Sequence, residues 1–235
     1  MNEDQLGPQL AHVRAQIEAA ALKCGRSPQD VTLIAISKTH PASLVRAAIE
    51  FGATDIGENR IQEAELKINK VGRHAARWHL VGHLQANKAR RAVQLFDVIH
   101  SLDSVDLARR LDRLCGDEGK DDLSVLIQVD LGHEETKNGI DQSELTELVD
   151  DLGKLERIRL VGLMTLPPFF DDPEQARPFF RQLRELRDQL AKQGAFGEQK
   201  GELSMGMTHD FAVAIEEGAT MVRVGTAIFG QREKR

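Results

Sequence analysis

Eight short apolar runs rich in β-branched residues, each followed by a stretch of helical period, constrain this chain more than any other feature. Val31 to Lys38 (VTLIAISK), Thr54 to Asn59, Trp78 to Gly82, Val98 to Leu102, Leu123 to Asp130, Ile158 to Leu166, Glu202 to Met205 and Met221 to Phe229 are too short for ordinary helices and are predicted as strands. Helices are predicted between them, over Ala42 to Phe51, Ile61 to Val71, Leu107 to Leu114, Leu145 to Leu155 and Pro173 to Gln193. Strands that alternate with helices call for a parallel sheet. Eight of them in 235 residues, with no GxGxxG after the first, predict a closed (β/α)₈ TIM barrel of the α/β class rather than an open doubly wound sheet. Ahead of the first strand, Leu6, Leu10, Val13, Ile17, Ala20 and Ala21 recur at helical spacing and predict a leading helix to Cys24, ended by Gly25. Only Gln231 to Arg235 follow the last strand, so this leading helix is expected to take the eighth place in the outer ring. No repeat, low-complexity segment or Pro/Gly/Ser-rich linker divides the chain, and one domain over residues 1–235 is expected.

Composition removes several function classes. With 41% hydrophobic and 29% charged residues the chain can bury a core and is not disordered. A net charge of −6 argues against a phosphate-backbone interface, which needs clustered Lys and Arg, so no nucleic-acid partner is expected. The one basic cluster, Lys88-Ala89-Arg90-Arg91, falls in an amphipathic helical stretch and reads as a solvated face. Cys24 and Cys115 are isolated, which excludes a disulfide framework or a zinc ribbon. An acidic N-terminus without an apolar signal region, and the lack of any run near the ~18 residues of a span, lead us to expect a cytoplasmic protein with no membrane association.

Barrel active sites are built at the C-terminal ends of the strands, so those ends are where function is sought. Lys38 closes the first run on the face of Ile34 and Ile36, aimed at the mouth. A desolvated lysine loses proton affinity, and a neutral amine is what a Schiff base with an aldehyde requires; the plain alternative is a solvated lysine at a strand end. After strands seven and eight come Ser204-Met-Gly-Met-Thr208 and Gly225-Thr226, small and hydroxylated residues where barrels commonly hold phosphate. Thr208-His-Asp210 precedes a helical stretch from Phe211 to Glu217, and the alternative there is ordinary capping with a glycine turn. Arg223 lies in an otherwise apolar strand and needs either an inward carboxylate or a ligand such as a pyridine nitrogen. His79 and His83 sit at a strand end without HExxH and give no support for zinc, while His133-Glu-Glu135 resembles a solvated loop.

Taken in order along nearly the whole chain, Ala35-Ile-Ser-Lys-Thr39, Phe51-Gly-Ala, Gly57-Glu-Asn59, Trp78-His-Leu-Val-Gly-His-Leu-Gln85 with Asn87-Lys88, Lys137-Asn-Gly-Ile140, Gly162-Leu-Met164, Leu203-Ser-Met-Gly-Met207 and Val222-Arg-Val-Gly-Thr-Ala-Ile-Phe-Gly230 resemble the pyridoxal phosphate homeostasis proteins. That family is similar to the barrel domain of alanine racemase without its second domain. The resemblance implies pyridoxal 5′-phosphate (PLP) as cofactor, Lys38 as its Schiff-base lysine and Arg223 facing its pyridine nitrogen. It implies further that Ser204, Thr208, Gly225 and Thr226 hold the phosphate, and that Asn59 and Met205 line the ring pocket. The sequence departs from the family at Thr208-His209, where a serine and a variable residue are more usual; threonine keeps the hydroxyl.

The implied role is to keep free PLP (vitamin B6) low yet available, delivering it to PLP-dependent apo-enzymes. The competing reading is a PLP-dependent amino-acid racemase with Lys38 as one of two bases. Racemases of this fold type take the opposing base, a tyrosine, from a second domain; this sequence contains no tyrosine, which favours carriage over turnover. A sugar-phosphate barrel enzyme without PLP would leave Lys38 unexplained. The chain is expected to be a monomer, with Pro167 to Asp172 as a candidate lid over the mouth.

Overall fold

The computed structural model describes residues 5–132 and 138–231. The solvated-loop reading of 133–135, Lys137 of the quoted segment 137–140 and the tail 232–235 lie outside the described residues. Strands β1 (Thr32–Ile36), β2 (Asp55–Glu58), β3 (Arg77–Leu80), β4 (Val98–Leu102), β5 (Leu123–Gln128), β6 (Ile158–Met164), β7 (Glu202–Met207) and β8 (Met221–Val224) pair in parallel, each with the next. The ring closes where β8 returns to β1, Ile34 opposite Arg223 and Ala35 opposite Val224. The fold is the α/β barrel anticipated from the alternating pattern.

Period-two alternation sorts the strand residues into two cores. Ile34, Ile36, Val81, Val98, Leu126, Met164 and Met221 pack together as the filling of the barrel. Residues at the alternate strand positions, among them Ala35, Ile56, Leu80, Leu203, Met205, Val222 and Val224, face outward into the larger core beneath the helices. The helices are α1 (Leu6–Lys23), α2 (Ala42–Glu50), α3 (Ile61–Val71), α4 (Ala89–Leu95), α5 (Val105–Asp117), α6 (Leu145–Leu152), α7 (Arg177–Lys192), α8 (Phe211–Glu216) and α9 (Thr226–Phe229). Among the described residues, no helix is long and apolar enough to cross a membrane.

Several predicted boundaries move. The eighth strand does not run to Phe229: it stops at Val224, and Thr226–Phe229 is a helical turn whose Ile228 and Phe229 N–H groups both donate to the Gly225 carbonyl, at 2.9 Å each. Periodicity alone does not separate a buried strand from a buried helical turn in an apolar run of this length. The first strand ends at Ile36, so Lys38 lies in the turn that follows rather than on the strand. The stretch from 173 to 193 divides into a 3₁₀ turn, Pro173–Ala176, and α7.

α1 lies against α2, α8 and α9 and covers the seam where the barrel closes. Its face Leu6, Leu10, Val13, Ile17, Ala20 and Ala21 is buried, as the spacing predicts. Leu10 is 1% exposed within that seam. Leu10→Ala should therefore lower the unfolding free energy by about 2–5 kcal/mol while leaving a single cooperative transition in urea. A separate early transition would mean that α1 is an appendage rather than part of the ring.

Candidate functional site

The turn after β1 is built on strain and a buried ion cluster. Ser37, Lys38, Thr39 and His40 form a turn closed by the His40 N–H donating to the Ser37 carbonyl at 3.1 Å, with Lys38 half-buried at its second position. Thr39 has φ of 69°, the one positive value at a non-glycine among the described residues. For a β-branched residue this conformation costs about 1–3 kcal/mol and persists only where neighbours impose it. Two neighbours do so. Glu63 of α3 accepts the Thr39 N–H, and Lys67 of α3 donates to the Ser37 carbonyl at 2.6 Å. The same ammonium donates to Glu58 Oε1 at 2.6 Å and Glu63 Oε1 at 2.8 Å.

Glu58, at the end of β2, faces away from the barrel interior and is fully buried; its Oε1 also accepts the Ser37 hydroxyl proton, and its Oε2 has no partner. Burial pushes the Glu58 pKa up, with the Lys67 charge and the Lys67 and Ser37 hydrogen bonds offsetting part of that. The position of the Lys38 turn thus depends on α3 from beneath. Asn59, the next residue along β2, is half-buried at the mouth. Gly82 packs against it so closely that a Cβ there would overlap the Asn59 backbone.

On the opposite side of the mouth, β7 and β8 deliver a second group. Gly206 has φ of 90°, and a Cβ there would stand 2.6 Å from the Ala214 Cβ, so this turn into α8 requires glycine. Asp210 does not cap α8 with its side chain; its Oδ1 accepts the Met207 N–H at 2.6 Å and closes the 207–210 turn. That places the Thr208 hydroxyl beside Gly225, whose N–H donates to it at 3.4 Å. Thr226, exposed, opens α9. Thr208, Gly225 and Thr226 therefore adjoin. The loop between β6 and α7 reaches the same corner: the Phe169 and His209 rings lie 5.5 Å apart, and His209 Nε2 donates to the Asp171 carbonyl at 2.9 Å.

Two expected site residues lie elsewhere. Ser204 is fully buried inside the barrel, its hydroxyl bonded to Arg223 and His100 rather than placed beside Thr208. Met205 points outward into the core beneath the helices, because it alternates with Ser204 along β7, and it can offer the mouth only its backbone.

Of the two alternatives for Arg223, the inward carboxylate is not what the structure shows. Among the described residues no carboxylate forms an ion pair with it; its Nη1 donates to Ser204 Oγ at 2.6 Å and its Nη2 to the Thr165 carbonyl at 2.9 Å, both neutral acceptors. Burial brings its pKa down to about 10, against an upward pull from Asp210, so the side chain is a cation at neutral pH. A buried guanidinium with N–H groups beyond these two bonds is a donor set prepared for a ligand acceptor.

Sequence reasoning also missed polar residues that the structure brings into play. Lys67 and Glu58 were concealed because they meet between α3 and the strands, where apolar residues are the rule. His79 and His83, four apart, separate: His79 is buried in the barrel against His100 and Asp55, whereas His83 is half-exposed and pairs with Asp103 at 3.2 Å. Asp55, His79 and His100 all occupy inward positions by alternation, a signal that was available.

The chain is similar to proteins of one family over nearly its whole length. Residues 9–233 match the model of the alanine racemase N-terminal domain. The pyridoxal phosphate homeostasis protein of Aquifex aeolicus is 40% identical over 226 residues, covering 95% of this chain and 97% of that protein. Its namesake in Escherichia coli K12 is 42% identical over 233 residues, with 95% of each covered. The chain belongs to the pyridoxal phosphate homeostasis protein family. Among solved structures, the family member PipY of Synechococcus elongatus, with PLP bound, superposes with a TM-score of 0.84 at 38% identity over 96% of this chain and 100% of that one.

Lys67→Met would strand a buried carboxylate, which costs about 3–5 kcal/mol. Because the Glu58 pKa is raised in the folded state, its carboxyl favours folding when protonated and loses that contribution as pH rises through the raised value. The deficit of Lys67→Met measured by urea unfolding should thus be largest at neutral pH and shrink as pH falls through the carboxylate range. A deficit independent of pH would show that Glu58 is not the group stranded.

Proposed function

We infer that this chain binds PLP at the barrel mouth as a Schiff base on Lys38 and serves PLP homeostasis, passing the cofactor to PLP-dependent apo-enzymes rather than turning over a substrate. The observation that carries this reading is Arg223, a buried guanidinium without an ion-pair partner among the described residues, set between the strand-end groups of β1 and β7. PLP supplies an aldehyde, a pyridine nitrogen and a phosphate, and the residues fit each in turn. Lys38 Nζ would supply the amine for the aldehyde, a C=N bond forming as one water leaves. Arg223 donates to the pyridine nitrogen and, remaining charged at neutral pH, keeps that nitrogen unprotonated, which makes the ring a poor electron sink. The Thr208 hydroxyl and the backbone N–H groups of Gly225 and Thr226 take the phosphate. Asn59 lines the ring. Ser204 contributes through Arg223, since its hydroxyl is committed there.

The family membership and PipY's bound PLP support the cofactor. The weak electron sink and the absence of tyrosine from the sequence favour carriage over racemisation.

Mixing the purified protein with PLP should give a yellow species whose chromophore borohydride fixes to the protein, and Lys38→Ala should abolish the fixation. A protein that stays colourless with PLP would exclude the Schiff base. Racemisation of alanine that Lys38→Ala abolishes would contradict the carrier role. Thr208→Val, which removes one phosphate hydrogen bond, should weaken PLP binding about tenfold in a fluorescence titration; an unchanged affinity would place the phosphate elsewhere.

A further inference from the structure

Inside the barrel, beneath the mouth, five side chains from five strands form one unbroken hydrogen-bonded line. Asp55 Oδ1 of β2 meets His79 Nε2 of β3 at 2.9 Å, and His79 Nδ1 meets His100 Nε2 of β4 at 2.9 Å. His100 Nδ1 meets Ser204 Oγ of β7 at 2.9 Å, and Ser204 Oγ accepts from Arg223 Nη1 of β8 at 2.6 Å. His79, His100 and Ser204 are fully buried, so water does not complete any of these bonds.

The two ends determine every proton between them. Arginine can only donate, so the Ser204 oxygen accepts from Arg223; with the Asp55 carboxylate able only to accept and both rings neutral, the Ser204 proton points to His100 Nδ1. His100 must then carry its proton on Nε2 and give it to His79 Nδ1. His79 likewise carries its proton on Nε2 and gives it to Asp55, whose carboxylate can only accept. That carboxylate also receives the Thr54 hydroxyl proton, at 2.7 Å. Each link then holds one proton and both imidazoles are neutral. A second proton on either ring would set two donors against each other or leave the Ser204 hydroxyl without its acceptor.

The surroundings agree. Burial holds the His79 pKa down against the upward pull of Asp55, and holds that of His100 well down, with His79, Arg223 and Arg77 adding to the effect. Asp55 stays ionised: burial pushes its pKa up, but the His79 and Thr54 hydrogen bonds prevail. The charged groups bearing on the line are Arg77 of β3, Asp97 just ahead of β4, Asp210 ahead of α8, and Arg223 and Asp55 themselves.

We propose that His79 and His100 are positioning residues for the cofactor site, holding the Arg223 guanidinium through Ser204 in the single orientation that leaves its other N–H groups for the ligand. With Nη2 fixed on the Thr165 carbonyl, the Ser204 bond removes the remaining freedom of the guanidinium plane. This inference rests on the reading of Arg223 as the partner of the PLP ring, but the line itself does not, and the two are tested separately.

The test uses the full chain labelled with ¹⁵N-histidine, first without PLP. Both imidazoles should appear as neutral rings protonated on Nε2, unchanged from pH 5 to 8. Asp55→Ala, at the far end of the line from Arg223, should disturb the His100 tautomer as well as that of His79, whereas Asp55→Asn, which keeps the acceptor, should restore both. A protonated ring or an Nδ1–H tautomer at neutral pH in the unaltered protein would overturn the line whatever PLP does. The second arm adds PLP. Ser204→Ala, a small change that folding should survive, is expected to weaken PLP binding about tenfold and to shift the visible band of the bound cofactor. Wild-type affinity and band position in Ser204→Ala would overturn the positioning role while leaving the line intact. Failure of the unaltered protein to bind PLP would remove the reading on which that role rests.

Discussion

A buried cation that forms no ion pair among the described residues is the constraint on which the rest of this site depends. Placing a guanidinium in such a space is costly unless its donors are met. The chain meets the cost of Arg223 with neutral acceptors, a serine hydroxyl and a backbone carbonyl. A carboxylate there would have produced a closed ion pair and an inert core. Neutral partners keep the charge available at the mouth, at the level where the first and seventh strands deliver their own functional groups.

The two sides of the mouth are held by different physics. Beneath Lys38, an ion cluster of Lys67, Glu58 and Glu63 imposes a left-handed conformation on Thr39 that the residue would not adopt alone. On the other side no ion pair is involved. Gly206 permits the chain to turn sharply under α8, and Gly225 brings its backbone to within contact of Ile36, where a Cβ would stand 3.2 Å from the Ile36 carbonyl. Strain and charge position the Lys38 turn, whereas the absence of side chains shapes the corner of Thr208 and Gly225. Both depend on barrel closure, since β1 and β8 become neighbours only when the ring is complete.

Much of this was legible in the sequence because alternation is a strong signal for strands buried on both faces. The eight strands and the leading helix follow from it; Lys38, Asn59, Thr208, Gly225 and Thr226 were read as strand-end residues and lie just beyond β1, β2, β7 and β8. What was not legible has particular causes. Thr226–Phe229 is too short and too apolar for its period to distinguish helix from strand. Ser204 lies in a segment of small residues that suggested phosphate binding as a unit, yet strand alternation gives Ser204 to the barrel interior and Met205 to the outer core. Lys67 looked like one more charged residue on a helix surface, and only tertiary packing shows that α3 turns it inward. The alignment of Asp55, His79 and His100 depends on the stagger of neighbouring strands, which no single strand encodes.

The chain belongs to the pyridoxal phosphate homeostasis family, and the proposed site has a lysine on one side of the mouth, an anion-holding corner on the other and a donor between them. A crystal structure of the chain loaded with PLP tests it most directly. The account predicts density continuous from the Lys38 amine to the cofactor, the ring nitrogen facing the Arg223 guanidinium and the phosphate against Thr208, Gly225 and Thr226. PLP bound to a different lysine, or with its ring nitrogen away from Arg223, would contradict it.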